Sequence, residues 1–276
     1  MKTKLLLSTF LFSLFFVSCS SSDSSTENPS PKPPISQGEY PKESGDIRIV
    51  TYNVRHFENS SQVIEYNNVA KLIKKLDADV ICFQEIDKNT TRSKKKDQMN
   101  EIAKLTHMYD YFSMSIPYQG GEYGNGILSK EKALSFHKIA LPGKELRSAL
   151  VVEFDKYIVI STHLSLESYN REESINILSN EAAKYKGKSI YLAGDLNEKK
   201  LDTPFFLKLK KYWNIESSNK NTYPTPTAKE RIDYIISYKG ESSNLTGTDV
   251  VRKMKEVNVS SISDHYPVFC DFSLSK

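Results

Sequence analysis

The sequence predicts an α+β fold in which two packed, mostly antiparallel sheets lie between outer helices. From residue 45 onward, short runs rich in β-branched residues alternate with segments of helical periodicity. Two of those runs are joined by only two residues, which indicates an antiparallel hairpin within the alternation. Residues 45–276 show no internal repeat and are long enough for one well-cored domain, but short for two.

Strands and helices alternate through the first half of this domain. Residues 47–52 alternate and carry enough β-branched side chains to predict a strand. Val69, Leu72, Ile73 and Leu76 recur at helical spacing and form one apolar face, opposite a lysine-rich face. The next expected elements, in order, are a buried strand at 79–84, a short helix at 99–105 and a strand that starts at 126–129 after a glycine-rich turn.

The second half begins with the hairpin. Residues 148–154 and 157–162 are β-branched runs on either side of Asp155 and Lys156, so we expect them to pair antiparallel. A helix at 168–184 should follow. The remaining expected elements are a strand at 189–193, a helix around 205–211 and strands near 232–237, 250–257 and 266–274.

Residues 1–18 have the layout of a secretory signal. A basic start with Lys2 and Lys4 precedes an apolar stretch from residue 5 to 17, which is too short to span a bilayer as a stable anchor. The stretch ends in Ser18 and Cys19, and this ending resembles the lipobox of bacterial lipoproteins. The resemblance implies cleavage before a lipidated Cys19 and an exported, membrane-anchored protein, either periplasmic or on the cell surface. An ordinary signal cleaved nearby is the alternative.

Residues 19–44 are rich in Ser, Pro and Asn and contain few apolar residues. Such a composition cannot bury enough surface to offset the entropy lost on ordering. We interpret this segment as a disordered tether that follows the lipidated cysteine, with a root-mean-square reach of roughly 25 to 30 Å. The folded domain, residues 45–276, would then lie just clear of the membrane.

The charge balance is nearly neutral. The chain has 38 basic and 34 acidic residues, and removal of Lys2 and Lys4 with the signal leaves 36 basic residues. A protein whose main ligand is nucleic acid usually has a larger basic excess or a concentrated patch. The best local patches, residues 92–96 and 208–211, are expected to be solvated faces. Nucleic acid therefore stays open as a partner but is not favoured.

Polar side chains lie at the ends of several predicted strands. They are Asn53, Glu85, His163, Asp195, Asn197, Asp233, Asp264 and His265. Each alone has an ordinary explanation, because a strand-end Asn or Asp is usually turn chemistry. As a set they indicate an active site, since rigid strands hold such groups while the adjoining loops admit substrate. Arg147 opens a strand and suits a bidentate phosphate contact, although a solvated strand end explains it equally well.

Seven segments of the chain resemble, in order, the motifs of the endonuclease/exonuclease/phosphatase superfamily. They are residues 51–54, 84–85, 123–129, 162–164, 194–197, 231–234 and 263–267. The resemblance covers the whole folded part. It implies a four-layer α/β sandwich of two sheets between helices and a phosphoesterase that depends on Mg²⁺ or Mn²⁺.

The resemblance also implies a role for each residue of the set. Metal contacts are expected from Asn53, Glu85 and Asp264, because hard divalent cations prefer oxygen ligands. The catalytic set is expected to be His163, Asp195, Asn197, Asp233 and His265, in which Asp233 and His265 form a pair and His163 donates to a phosphate oxygen. Phosphate contacts are expected from Asn125 and Arg147. Either Asp195 or His265 would be the general base.

One position departs from the pattern. Some DNA-repair nucleases of the superfamily carry an acid two residues after the first-motif Asn, where this chain has Arg55. The favoured function is hydrolysis of a phosphodiester or phosphomonoester outside the cytoplasm, on a lipid head group or a small molecule, by a monomer. The alternatives are a secreted or surface nuclease that uses residues 92–96, and an inactive lipid-anchored binding module.

Overall fold

The computed structural model describes residues 38–240 and 243–274. The predicted signal, the lipidated Cys19 and most of the predicted tether lie outside the described residues. Residues 38–44 belong to that tether, and at least four of them, Glu39 to Lys42, already contact the domain. Tyr40 packs edge-on against Phe269, with ring centroids 5.6 Å apart. The Lys42 ammonium lies 2.5 Å from Asp79 Oδ2. Contacts with the domain therefore begin before Gly45.

Twelve strands and five α-helices make up the described part of the chain. In order they are β1 (Ile47–Asn53), α1 (Asn67–Leu76), β2 (Val80–Lys88), α2 (Gln98–Thr106), β3 (Tyr109–Tyr118), β4 (Gly121–Ser129), β5 (Ser135–Leu141), β6 (Arg147–Glu153), β7 (Tyr157–His163), α3 (Ser168–Ala182), β8 (Ser189–Asp195), α4 (Pro204–Tyr212), β9 (Trp213–Ile215), β10 (Asp233–Tyr238), β11 (Ser243–Val250), α5 (Val259–Ile262) and β12 (Val268–Leu274). None of these helices is long and apolar enough to cross a membrane.

The strands form two six-stranded sheets. The first sheet has the order β11-β12-β1-β2-β4-β3 and the second β5-β6-β7-β8-β10-β9. Pairing is antiparallel except between β1 and β2 and between β7 and β8. The hairpin expected at residues 148–162 is confirmed as β6 and β7. The sandwich fold predicted from the sequence is confirmed, with two mixed sheets.

Three apolar clusters hold the four layers together. One fills the space between the sheets and joins inward-facing residues of the first sheet, such as Cys82, to those of the second, such as Tyr191. A second packs α1 and α2 on the outside of the first sheet, and a third packs α3 and α4 on the second. Cys82 and Cys270 are buried free thiols, held apart because their strands flank β1 on opposite sides.

The strand predicted at residues 250–257 is wrong. The strand β11 ends at Val250, and Val251, Met254 and Val257 are buried because the following loop packs against the outer helices. The apolar spacing was therefore that of a buried loop and not of a strand. β3, β5 and β9 were not predicted, since all three are edge strands and β5 is exposed along most of its length.

Candidate active site

The predicted site residues meet because of the register of the central strands. Asn53 ends β1 and lies beside Gln84 in the parallel pair with β2. In the second sheet, His163 at the end of β7 pairs with Asp195 at the end of β8. The same Asp195 lies opposite Asp233, the first residue of β10. The ends of both sheets thus deliver their polar residues to one place.

Gly194 allows this approach of strands β7 and β8. A Cβ at position 194 would lie 1.9 Å from the carbonyl oxygen of Thr162, a distance that no side chain can occupy. Any substitution of Gly194 would separate the ends of the two strands. The glycine before Asp195 is therefore a requirement of the site.

His265 and Asp233 form a buried pair at the floor of the site. The imidazole Nδ1 lies 3.0 Å and 3.2 Å from the two carboxylate oxygens of Asp233, and both residues are less than 5% exposed. Thr222 supports the pair, because its hydroxyl donates to Asp233 Oδ2. Burial alone would lower the pKa of His265, but Asp233, helped by Asp195, raises that pKa to about 10. At neutral pH the ring is a cationic donor.

Asp195 lies between the two histidines. Its Oδ2 is 3.8 Å from His265 Nε2 and 3.6 Å from His163 Nε2. Its Oδ1 accepts the backbone N–H of Asn197 at 3.0 Å, and Oδ2 accepts the amide of Asn53 at 3.2 Å. Burial, followed by the charge of Asp233, raises the pKa of Asp195 to about 7. A carboxyl with such a pKa is suited to accept a proton near neutrality.

His163 and Arg147 line the adjoining wall. Burial, followed by the nearby Arg147 charge, holds the pKa of His163 well below its usual value, so the ring is neutral. Its Nδ1 is buried and has no hydrogen-bond partner, and the same is true of Arg147 Nε. Arg147 NH1 contacts Glu145 Oε1 at 3.0 Å. Two unpartnered polar atoms beside an open cleft are ready to contact a ligand.

A β-bulge positions Glu85. In the pairing of β2 with β4, Phe83 lies opposite Gly126 and Ile86 opposite Gly124, so Gln84 and Glu85 share the single partner Asn125. The extra residue has a left-handed backbone, with φ of 61° at Glu85. Bulges redirect a side chain next to active sites, and non-glycine residues in this region cost free energy that function often explains.

A cleft of ≈ 700 Å³ opens above these groups. Its lining includes Glu85, Arg147, His163, Asp195, Asn197, Asp264 and His265 from the predicted set. Three members of the set do not line it: Asp233, which contacts His265, and the two amides Asn53 and Asn125. Asn53 is 1% exposed and links Glu85 to Asp195 through its amide nitrogen, at 3.0 Å and 3.2 Å. Asn125 is 1% exposed and donates its amide to the Ser148 carbonyl at 2.8 Å, which ties the two sheets together.

The roles assigned to individual residues stay predictions. The geometry agrees with some of these roles and not with others. His163, Asp195, Asp233 and His265 form one connected group. Asn197 lines the cleft and donates its side-chain amide to the Leu164 carbonyl at 2.9 Å. The phosphate contact expected from Asn125 has no support here, because its amide is committed below the cleft.

Comparisons with known proteins agree with this arrangement. The sequence profile of the Endonuclease/Exonuclease/phosphatase family matches residues 50–265. The chain belongs to this family. Members are metal-dependent phosphoesterases, and the predicted enzyme class is confirmed. No curated protein sequence matches the chain.

Several solved structures share the fold at low identity. A family member from Bacteroides vulgatus aligns with a TM-score of 0.68 at 17% identity, over 83% of this chain and 99% of its own. A mannosyl-6-phosphatase from Bacteroides thetaiotaomicron aligns with 0.65 at 16%, over 82% and 99%. The human Nocturnin catalytic domain with a bound sulfate anion aligns with 0.62 at 17%, over 84% and 94%.

The donors in the cleft fit a divalent cation. Glu85 and Asp264 both line it, and within residues 38–240 and 243–274 neither carboxylate lies within ion-pair distance of a Lys, Arg or His nitrogen. Unpaired carboxylates that share a partly buried cleft favour a bound cation. In the present orientation Asn53 points its amide nitrogen at Glu85 while its oxygen accepts the N–H of Arg55 at 3.1 Å. A metal contact from Asn53 would require the amide to turn over.

A second group of possible ligand atoms is better explained by hydrogen bonding. Asp195, Asp233 and His265 each offer one such atom within 4.8 Å of the others. However, both oxygens of Asp233 contact His265 Nδ1, and one also accepts from Thr222. The raised pKa of His265 favours a proton on the ring over a cation. Glu85 and Asp264 therefore stay the predicted cation contacts.

The sequence places a loop at residues 217–229 near the site but carries no motif there that predicts its contacts. In the segment 222–230, Thr222 holds Asp233, and the Tyr223 ring lies against the His265 ring with centroids 4.7 Å apart. Thr225 donates its backbone N–H to the Asp264 carbonyl at 2.8 Å. This loop has no periodicity and reaches the site only through tertiary contacts, so the one signal for those contacts is its proximity to Asp233 in sequence.

Proposed function

We propose that the enzyme is a Mg²⁺-dependent hydrolase of phosphate esters of small molecules or lipid head groups, and that it acts outside the cytoplasm. The observation that carries this proposal is the Asp233–His265 pair, which faces Asp195 across the floor of a cleft that also contains Glu85 and Asp264. This arrangement combines a proton acceptor, a cationic donor and two cation-binding carboxylates.

The residues divide the reaction between them. Asp195, with its pKa near 7, accepts the proton of the attacking water. His265, which is protonated at neutral pH, donates to a phosphate oxygen as negative charge develops there. His163 and Arg147 line the same cleft, and their side chains would contact the remaining phosphate oxygens. A divalent cation bound by Glu85 and Asp264 would supply charge neutralisation and polarise the ester.

Small esters are favoured over nucleic acid because two of the four basic residues in the segment 92–96 are already paired with acids. Arg92 makes two hydrogen bonds to the fully buried Asp87, at 2.7 Å and 2.9 Å, and Lys96 pairs with Glu101 at 2.7 Å. Their charge is thus largely compensated within the fold. A fold relative is a mannosyl-6-phosphatase, which is an enzyme for a small phosphate ester.

The catalytic proposal is tested with the purified chain starting at residue 20. It should hydrolyse an aryl phosphodiester or a panel of phosphomonoesters with Mg²⁺ and lose activity in EDTA. Asp195→Asn and His265→Ala should each lower kcat by about 10²- to 10⁴-fold. The control is Asp155→Asn, a change in the exposed turn between β6 and β7. Hydrolysis of DNA with a steep salt dependence, and no turnover of small esters, would favour the nuclease alternative.

The membrane proposal is tested separately. The full chain should enter the membrane fraction and incorporate labelled fatty acid, whereas Cys19→Ser should appear in the soluble fraction. Cys82→Ser is the matched control, because that thiol is buried within the domain. A Cys19→Ser chain that stays in the membrane fraction would contradict lipid anchoring.

A further inference from the structure

A recess beside the catalytic cleft has a lining that, apart from Glu85, the proposed reaction does not use. It measures ≈ 140 Å³ and is lined by Glu85, Arg92, Ile116, Tyr118, Tyr123 and Glu145. Three of these residues, Glu85, Tyr123 and Glu145, also line the main cleft, so the two spaces adjoin. Pockets that take a whole ligand are usually about 300 Å³ or larger. The recess is therefore on the scale of one part of a substrate.

Arg92 fixes the aromatic wall of this recess. Its guanidinium lies 4.6 Å from the ring centroid of Tyr118 and 5.6 Å from that of Tyr123. The same guanidinium is held by Asp87, which is 0% exposed. Gln119 accepts the backbone N–H of Thr91 and so anchors the loop that carries Arg92. The two rings are thus held by cation–π contacts to a cation whose charge is compensated.

The geometry of the two rings does not form a two-sided stacking slot for a flat base. The ring centroids of Tyr118 and Tyr123 lie 6.1 Å apart, and the ring planes are inclined by 55°. A planar heterocycle between two rings stacks on both only when they are nearly parallel, which this angle does not offer. An inclined pair instead forms a concave apolar wall, which suits the C–H face of a puckered ring.

Glu145 supplies the polar partner for such a ring. One of its oxygens contacts Arg147 NH1 at 3.0 Å, and the side chain is 50% exposed, which leaves the other oxygen open to accept hydroxyl protons. A side chain at Gly143 would lie 2.2 Å from the Glu145 carbonyl oxygen, so the tight turn holds Glu145 in place. Carboxylates at Glu145 and Glu85 also disfavour an anionic group in the recess.

We propose that this recess, formed by Arg92, Tyr118, Tyr123 and Glu145, binds the polyhydroxylated ring of a sugar or cyclitol phosphate while the phosphate lies at His265 and Arg147. The proposal rests on the proposed phosphoesterase function and names its substrate class. Apolar C–H groups of the ring pack on the two tyrosines, and hydroxyls donate to Glu145. The contact of Glu145 with Arg147 couples the ring subsite to the phosphate subsite.

The first experiment compares kcat/KM for a hexose 6-phosphate, myo-inositol 1-phosphate and the acyclic glycerol 1-phosphate. The wild type should prefer one of the cyclic esters, and the preferred one identifies the source of the ring. Tyr118→Ala should lower the cyclic-to-acyclic ratio about five- to tenfold, Glu145→Gln should lower it severalfold, and Tyr118→Phe should retain it. Tyr109→Ala, at the opposite end of β3, is the matched control and should leave the ratio unchanged.

A second measurement does not depend on turnover. Saturation-transfer NMR on the EDTA-treated protein, with hexose 6-phosphate and myo-inositol 1-phosphate as ligands, should show saturation of the ring C–H protons of at least one of them, and Tyr118→Ala should abolish that signal while Tyr109→Ala keeps it. A constant ratio in Tyr118→Ala, or a stronger signal and faster turnover with a nucleoside monophosphate, overturns the ring subsite. Absence of hydrolysis of every ester with Mg²⁺ or Mn²⁺ would instead count against the proposed function, and the NMR measurement would still decide the subsite.

Discussion

Asp233 approaches His265 through both of its carboxylate oxygens, at 3.0 Å and 3.2 Å from Nδ1. This contact fixes which ring nitrogen faces Asp195 and the cleft, and it keeps the ring protonated at neutral pH. The orientation and the charge of His265 therefore have one source.

Asp233→Asn should remove the negative charge beside His265 and keep a side chain of the same shape that can still form a hydrogen bond. We expect kcat/KM to fall by about 10²- to 10⁴-fold, because the ring loses both its charge and its fixed orientation. Steady-state kinetics on the preferred ester will measure the loss. Asp249→Asn, a change in a surface ion pair with Lys220, is the control. Retention of full activity in Asp233→Asn would show that the pair is structural only.

Thr222→Val tests whether the hydroxyl that donates to Asp233 matters for the reaction. Valine keeps the shape of threonine but cannot donate to Asp233 Oδ2, so Asp233 should lose part of its orientation. We expect kcat to fall about tenfold with little change in KM, and Thr222→Ser to restore it. Full kcat in Thr222→Val would show that the hydroxyl bond to Asp233 has no part in the reaction, and a loss in Thr222→Ser alone would indicate that the methyl group, and therefore packing, carries the effect.

His163 should make stability depend on pH in the metal-free protein. Its folded-state pKa is held well below 6.5 by burial, then by Arg147 and His265. His163 of the unfolded chain therefore binds a proton below pH 6.5 that His163 of the folded chain does not. The stability that the neutral ring contributes is fully present above pH 6.5 and is lost as the pH falls. The contribution to the slope is about 1.4 kcal/mol per pH unit.

Urea unfolding in EDTA at several pH values from 7.5 to 5 will measure this slope. In His163→Gln the free energy of unfolding should fall less steeply below pH 6.5, by that amount per pH unit. A substitution of the exposed His107 should leave the slope unchanged. Asp195 Oδ2 lies 3.6 Å from His163 Nε2, and the pKa of Asp195, raised to about 7, gives a slope of the opposite sign in the same pH range; the wild type and His163→Gln share that slope, so it cancels in the comparison. Equal slopes in wild type and His163→Gln would refute a neutral buried His163.

The sequence predicted the fold and most of the site because both depend on local patterns. Strands such as β1 and β8 are buried along nearly their whole length, so their β-branched runs and polar ends are readable. The bulge at Glu85 and the support of Asp233 by Thr222 depend on tertiary contacts, which leave no periodic signal. The pairing of Arg92 with Asp87 is likewise a tertiary contact. Because of it, Arg92 is part of the lining of the recess and not of a solvated basic patch.

Arg48 and Asp271 provide the clearest test of what holds the first sheet together. They lie opposite each other in β1 and β12, and the guanidinium makes bonds of 2.7 Å and 2.6 Å to the two carboxylate oxygens at 0% and 3% exposure. Arg48→Met should lower the free energy of unfolding by about 3 to 5 kcal/mol, because it leaves a buried carboxylate uncompensated. The double variant Arg48→Met, Asp271→Leu should recover much of that loss, as measured by urea unfolding. If the double variant is no more stable than Arg48→Met, the loss comes from the guanidinium's hydrogen bonds to the Leu76 and Tyr40 carbonyls and not from the unpaired charge.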